Sequence, residues 1–230
     1  MNLYVIVEGK STEPQVYSAW LQILAPHLTK IDDAWDVDEN DYYLFSSNGI
    51  PSIYQHVANA IADINEINAG DKGKYDYLIV CLDTEEETRE YIEEQINKVL
   101  EDNDVALKDA KLLVFEQKVC METWFLGNRK IFKSNAQDAE FLNYISEYNV
   151  RNQNPEDMGN LRPDKFSTKA KFHLDYLKRM LKERNIKYSK TNPTAVCQKS
   201  YLDQLISRYE ETNDIKSFGN WYEFVKETLL

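Results

Sequence analysis

The chain contains 230 residues, of which 43% are hydrophobic, 12% aromatic and 29% charged, and its formal net charge is −12. Plentiful aromatic residues, with only 7 glycines and 6 prolines, disfavour a disordered, collagen-like or coiled-coil chain and favour one globular domain of ordinary core size. No apolar run approaches the roughly 18–20 residues of a membrane helix, and three widely spaced cysteines disfavour a disulfide framework, so we expect a cytoplasmic protein that does not associate with membranes.

The first half of the chain alternates predicted strands and helices. Short apolar runs predict strands at Leu3–Val7, Tyr42–Phe45, Tyr75–Leu82 and Lys111–Phe115. Apolar residues at helical spacing predict helices between them, and Thr12 and Thr84 are each expected to open one of these helices as the first residue of a capping box. Such alternation is typical of an α/β fold with a parallel sheet covered on both faces.

The strand pattern ends near Val119, and the remainder reads as helices and loops. Predicted helices follow at Met121–Leu126, Lys169–Arg184, Tyr201–Tyr209 and Ile215–Leu229. We therefore expect a core over residues 1–130 and a mainly helical C-terminal extension over residues 131–230, packed on that core as one unit.

Charge is unevenly distributed along the chain. Residues 161–200 hold 11 basic and 3 acidic residues, whereas the chain as a whole is acidic. One interpretation is a solvated helix face, which is what most charge runs are. The other is a basic surface that faces an anion, next to an acidic part of the protein that attracts divalent metal ions.

Acidic residues follow two of the predicted strands. Glu8 comes directly after the first strand, and Asp83 and Glu85 come after the third. Ligands of open parallel sheets bind outside the carboxyl ends of the strands, and converging carboxylates need a cation such as Mg²⁺ or Mn²⁺. The alternatives are that Glu8 belongs to a simple turn and that Glu85 lies in a first helical turn, where the helix dipole favours an acid.

Several common motifs are absent. Gly9-Lys10-Ser11 resembles the end of a phosphate-binding loop, but the required glycine is replaced by Tyr4, so an ATPase is not expected. The three histidines, His27, His56 and His173, are scattered, and we interpret them as ordinary core or surface residues.

Three segments, in order, resemble a known domain. The segment LYVIVEGKSTEP, with Glu8 after the strand, is similar to the opening of a Toprim domain, and YDYLIVCLDTEEE resembles the D-x-D motif of its third strand, with Glu85 in place of the second aspartate. KVCMETWFLGN resembles an element of small standalone Toprim proteins near the overcoming-lysogenization-defect (OLD) and RloB-like nucleases. The resemblance covers about residues 1–130 and implies a Toprim-like (Rossmann-like) sheet.

The resemblance also implies roles for single residues. Glu8 matches a metal ligand or general base, Asp83 and Glu85 match the metal-binding acidic pair, and Glu122 matches an additional acid that holds a second metal. An alternative for Glu122 is a surface residue on a short helix whose aromatic side chains pack inward. Three lysines are unranked candidates for phosphate contacts: Lys10, Lys190 and Lys199.

We therefore expect a Mg²⁺- or Mn²⁺-dependent nuclease that hydrolyses DNA or RNA. The resemblance further implies a role in defence against phage or mobile elements, with an ATPase partner supplied by a separate chain. Two alternatives stay open: a non-catalytic subunit that binds a partner protein in a defence complex, and a metal-dependent phosphatase acting on a small nucleotide.

Overall fold

The computed structural model describes residues 1–230 and confirms the α/β class. Its centre is an all-parallel five-stranded sheet in the order β2-β3-β1-β4-β5. The strands are β1 (Leu3–Val7), β2 (Thr29–Ile31), β3 (Asp41–Ser46), β4 (Tyr77–Asp83) and β5 (Lys111–Gln117). The chain forms two compact units, the first made of residues 1–82, 87–116 and 225–230, the second of residues 83–86 and 117–224. The expected boundary at residue 130 stays a prediction.

The first unit holds the sheet between helices. These are α1 (Thr12–Leu24), α2 (Ser52–Asn68) and α3 (Arg89–Asp102). Val7 of β1 pairs with Cys81 of β4 in parallel register, and all five residues of β1 are buried. Burial of both faces explains why β1 is continuously apolar instead of alternating.

Apolar side chains of α2 and α3 form the core on one face of the sheet. Ile61 and Ile64 of α2 and Ile92 of α3 pack in one cluster with Val80 and Leu82 of β4. Each of these side chains is at most 1% exposed. Full burial of such a side chain contributes roughly 1.5–3 kcal/mol, so this cluster is a main source of the unit's stability.

The second unit is helical, as the loss of the strand pattern after Val119 predicts. Its helices are α4 (Met121–Phe125), α5 (Ala139–Glu147), α6 (Lys169–Lys182), α7 (Lys199–Thr212) and α8 (Lys216–Phe224), and a π-helical turn follows at Val225–Leu229, in the first unit. Arg208 of α7 is 1% exposed and its guanidinium donates to the carbonyl oxygens of Val150 and Gln153 and to the carboxylate of Asp214. Every nitrogen of the buried guanidinium therefore donates at least one hydrogen bond, and Asp214 compensates its charge.

Both predicted capping boxes are wrong. Thr12 is the first helical residue of α1 instead of its cap, and Gln15 donates to the carbonyl oxygen of Ser11. Helix α3 begins four residues later than the box at Thr84 predicts, because Thr88 accepts a hydrogen bond from the backbone nitrogen of Tyr91. A capping side chain satisfies an N–H group of the first helical turn; Thr88 does so in α3, whereas α1 has no side-chain cap.

Two elements are not predicted from the sequence. Strand β2 has only three residues, two of them exposed, so it carries no apolar pattern. Helix α5 is nine residues long and buries only Phe141 and Tyr144. Short elements with little burial leave too weak a periodic signal to be recognised.

Candidate active site at the end of strand β4

Asp83 is the last residue of β4 and is only 8% exposed. Its Oδ1 accepts a hydrogen bond from the backbone nitrogen of Met121 at 3.0 Å. Met121 is the first residue of α4, so its N–H group has no acceptor within the helix. This hydrogen bond fixes the carboxylate of Asp83 at the N-terminus of α4, next to Met121, and Glu122 is the next residue.

Glu122 is buried, at 1% exposure, so the alternative that it is a surface residue is wrong. Its Oε1 accepts a hydrogen bond from the hydroxyl of Tyr188 at 2.9 Å and lies 3.7 Å from the ammonium of Lys190. The side chain of Lys190 is 54% exposed. A buried carboxylate is thus held by one phenol and by one cation that reaches it from solvent.

Cys120 directly precedes the first residue of α4, and the charges of both acids affect its thiol. Cys120 is fully buried, and burial is the largest cause that raises its pKa well above the ordinary value. The charges of Glu122 and Asp83 raise it further. The charges of both carboxylates therefore influence the same thiol, which lies in the second unit.

Glu85 differs from these two acids. It is exposed and has a left-handed backbone with φ +48°, and α3 begins only at Arg89. The alternative that Glu85 lies in the first turn of that helix is therefore wrong. Its side chain is carried by the loop directly after β4.

This loop is tied to the segment that leads into α4. The backbone nitrogen of Thr84 donates to the carbonyl oxygen of Gln117 at 3.1 Å, and that of Val119 donates to the hydroxyl of Thr84 at 2.9 Å. Thr84, expected to cap a helix, thus uses its hydroxyl to join the two segments. Three backbone-directed hydrogen bonds, the third from Met121 to Asp83, fix the site's framework.

Glu8 lies in the first unit, directly after β1. Its backbone nitrogen donates to the carbonyl oxygen of Cys81 at 3.1 Å, and its carbonyl oxygen accepts from the nitrogen of Gly49 at 3.0 Å. The charge of Glu8 is among the causes that raise the pKa of Tyr54, after desolvation and the effect of Tyr91. Glu8 therefore follows a strand end, as expected, and its carboxylate is close enough to the Tyr54 phenol to affect its ionisation.

The structure distinguishes the three candidate lysines. Lys190 is the only one of them that contacts a predicted site acid. Lys199 pairs with Asp203, four residues later on α7, at 2.8 Å. Lys10 is exposed in the first unit. Geometry therefore favours Lys190 among the predicted phosphate contacts.

The donor set suits a hard divalent cation. No group of three or more His, Cys, Asp and Glu side chains stands at metal-binding spacing. Mg²⁺ is commonly held by one or two carboxylates and completes its coordination with water and substrate oxygens, so Asp83 and Glu122 provide a fitting pair. The participation of Glu8 and Glu85 stays a prediction.

His173 lies beneath α4 and plays a structural part. Its Nδ1 lies 2.8 Å from the hydroxyl of Thr123, and its Nε2 lies 2.9 Å from the carbonyl oxygen of Met158. A carbonyl can only accept, so Nε2 carries the proton and Nδ1 accepts from Thr123. Burial lowers the pKa of His173 to about 4, so the ring is neutral at physiological pH.

Three exposed lysines share one face of α6. Lys171 and Lys178 are seven residues apart and Lys178 and Lys182 are four apart, which places all three within about 40° of each other around the helix axis. We call them the α6 lysine stripe. Neighbouring basic residues are instead paired with carboxylates, as Lys165 is with Glu140 and Lys169 with Glu86.

Comparisons with known proteins add no relative. No family model matches the chain, and neither a curated protein nor a solved structure matches it. None of the helices combines the length and the apolar character required to cross a bilayer.

Proposed function

We propose that this chain is a Mg²⁺- or Mn²⁺-dependent nuclease whose metal site is built on Asp83 and Glu122. The observation that carries the proposal is the burial of both carboxylates, with Asp83 at the carboxyl end of a parallel strand and hydrogen-bonded to the backbone nitrogen of the residue before Glu122. Burying negative charge is costly unless it is hydrogen-bonded and neutralised, and a divalent cation supplies that neutralisation. Strand ends are also where parallel sheets bind their ligands.

The residues present divide the work of hydrolysis. A bound divalent metal lowers the pKa of a water molecule and neutralises charge on phosphoryl oxygens. Asp83 and Glu122 would hold the ion, and Lys190, which reaches Glu122 from solvent, would contact a phosphate oxygen. The attacking water would lose one proton to solvent as its oxygen forms the new bond to phosphorus, and the leaving alkoxide would take up one proton from solvent as the P–O bond breaks.

The α6 lysine stripe supports a polymeric substrate. Lys171 and Lys182 are 11 residues apart, about 16 Å along the helix, a length that spans about five phosphates of one nucleic-acid strand. A small nucleotide has too few phosphates to contact all three lysines of this row. The exposure of the stripe therefore favours nucleic acid over the alternative of a nucleotide phosphatase.

The Toprim resemblance adds Glu8 and Glu85 to the proposed metal-binding set. Glu8 follows β1 and Glu85 follows β4. A role in defence against phage and an ATPase partner rest on the resemblance alone.

A cleavage assay on plasmid, single-stranded DNA and total tRNA tests the proposal. Each substrate is incubated with Mg²⁺, Mn²⁺ or EDTA, and Asp83→Asn is compared with Asp203→Asn. Asparagine still offers an Oδ1 to the nitrogen of Met121, so Asp83→Asn is expected to fold. Asp203 is exposed and pairs with Lys199.

The proposal predicts metal-dependent cleavage that Asp83→Asn abolishes and Asp203→Asn retains. Equal cleavage by the two variants would assign the activity to another site. No cleavage in any condition would leave the fold intact and favour the partner-binding alternative.

A further inference from the structure

Tyr188 is the residue at this site that the sequence does not single out. It lies between α6 and α7, 66 residues after Glu122, and donates its hydroxyl proton to Oε1 of that carboxylate at 2.9 Å. This hydrogen bond is shorter than the other contact to Glu122, because the ammonium of Lys190 lies 3.7 Å from the same carboxylate oxygen.

The ring of Tyr188 is fixed on the same side of α4 as Glu122. It packs edge-on against Phe125, with ring centroids 6.0 Å apart. Phe125 follows Glu122 by three residues, so both project from one face of the helix. Tyr201 supports this arrangement, because its hydroxyl donates to the carbonyl oxygen of Phe125 at 2.7 Å.

The segment that carries Tyr188 is held by a tight turn. The backbone nitrogen of Asn192 donates to the carbonyl oxygen of Ser189 at 3.0 Å and lies 3.1 Å from the Ser189 hydroxyl. On the other side, the nitrogen of Ile186 donates to the carbonyl oxygen of Leu181 at 3.0 Å. Tyr188 is therefore presented to Glu122 from a fixed backbone.

We propose that Tyr188 is a positioning residue that orients the carboxylate of Glu122 for divalent-metal binding. The inference rests on the proposed function, since it assigns a partner to one of the proposed metal ligands. A hydrogen bond to one carboxylate oxygen limits rotation of the group, and such outer contacts typically change metal affinity 10- to 100-fold when removed. Tyr188 is not assigned any contact with substrate.

The test is Tyr188→Phe, which deletes the hydroxyl and keeps the ring against Phe125. Tyr148→Phe is the matched control, because Tyr148 is also half-buried in the second unit and donates to a carbonyl oxygen, that of Asn154 at 2.7 Å. Mn²⁺ affinity is measured by electron paramagnetic resonance, and thermal unfolding is measured in EDTA.

Tyr188→Phe is expected to raise the Kd for Mn²⁺ by about tenfold, with a change in Tm similar to that of Tyr148→Phe. In a Glu122→Gln background the effect of Tyr188→Phe on Mn²⁺ binding is expected to disappear, because the two side chains act as a pair. These results together support a positioning role.

Two results would overturn the inference, and they are distinguishable. A wild-type protein that binds Mn²⁺ with the same Kd as Tyr188→Phe would overturn the role of Tyr188 alone. A wild-type protein that binds no Mn²⁺ would overturn the proposed metal site and this inference with it.

Discussion

The backbone nitrogen of Glu85 donates a hydrogen bond of 2.9 Å to the carbonyl oxygen of Val119, and both residues have positive φ angles, +48° for Glu85 and +70° for Val119. Positive φ is uncommon outside glycine and is a genuine outlier for a β-branched residue such as valine. The surrounding structure must stabilise both conformations, since each costs of order 1–3 kcal/mol. Two adjoining strained residues therefore border the pair Asp83 and Glu122, and strain of this kind clusters at binding and catalytic sites.

Replacement of Glu85 by glycine distinguishes the effect of its backbone conformation on stability from the effect of its carboxylate on metal binding. Glycine adopts positive φ without steric cost, so Glu85→Gly is expected to leave the free energy of unfolding unchanged or to raise it by up to about 1 kcal/mol. If Glu85 helps to hold a metal, as the resemblance implies, Mn²⁺ affinity falls in the same variant. Asp104→Gly is the control, because Asp104 has φ +51° and lies in the first unit. Equal Mn²⁺ affinity in the two variants would exclude Glu85 from the metal site.

Lys190 is expected to weaken or leave unchanged the binding of metal and to increase the rate of substrate cleavage. Its ammonium lies 3.7 Å from a proposed metal ligand, so Lys190→Ala removes a competing cation and should leave Mn²⁺ affinity equal or higher. The same change removes the proposed phosphate contact, and we expect about a tenfold lower cleavage rate. Lys199→Ala, which breaks only an exposed pair with Asp203, should leave both quantities near the wild-type values. A parallel fall of metal affinity and cleavage in Lys190→Ala would contradict the assignment.

The α6 lysine stripe is expected to determine the salt dependence of nucleic-acid binding. Replacing Lys171, Lys178 and Lys182 together by glutamine should reduce the slope of log K against log salt by about 2 to 3, since each lost phosphate contact contributes roughly 0.7–0.9. Fluorescence anisotropy with a labelled oligonucleotide at several salt concentrations measures this slope. The control replaces Lys165 and Lys169 by glutamine, since carboxylates already pair with both. An unchanged slope in the triple variant would place the nucleic acid elsewhere.

His173 is expected to reduce stability at acidic pH. Its pKa is about 4 in the folded protein, below the value of 6.5 expected in the unfolded chain, so the unfolded state binds the proton more readily. The resulting stability is fully present above pH 6.5 and is lost as the pH falls towards 4, with a total of up to about 3 kcal/mol. Urea unfolding of the wild type and of His173→Gln across this range measures the difference.

The control for this pH dependence is His56→Gln, which leaves the buried imidazole of His173 unchanged. Glu156 has a pKa raised by burial and so contributes with the opposite sign, but it is common to all variants and cancels in the comparison. A wild-type pH profile parallel to that of His173→Gln would show that the histidine does not titrate as expected.

The sequence predicts the sheet well because its buried strands are encoded locally. The run at Tyr75–Leu82 and the strand β4 differ by a few residues at their ends, and Leu3–Val7 agrees with β1 completely. Continuous apolar runs of this length leave few alternatives when helical patterns separate them. The position of Asp83 at a strand end follows from the same signal.

The site's remaining features depend on contacts between distant residues. Thr84 has a near-perfect local capping pattern, yet its hydroxyl is used by Val119, 35 residues away. The burial of Glu122 cannot be read from a helix of five residues, which is too short for a periodic pattern. Tyr188 contacts Glu122 across 66 residues, and no local propensity encodes such a pairing.

The long separation between Glu122 and Tyr188 has a consequence for how the protein matures on the ribosome. Chains emerge from their N-terminus at about 5–20 residues per second, and domains fold as their segments become available. All five strands and α4 have been synthesised by residue 125, whereas Tyr188 follows several seconds later. A nascent chain therefore already contains Asp83 and Glu122 but cannot yet fix the Glu122 side chain through Tyr188. If the proposed metal site is correct, a chain released or stalled before residue 188 would therefore bind a divalent ion about tenfold more weakly than the completed protein.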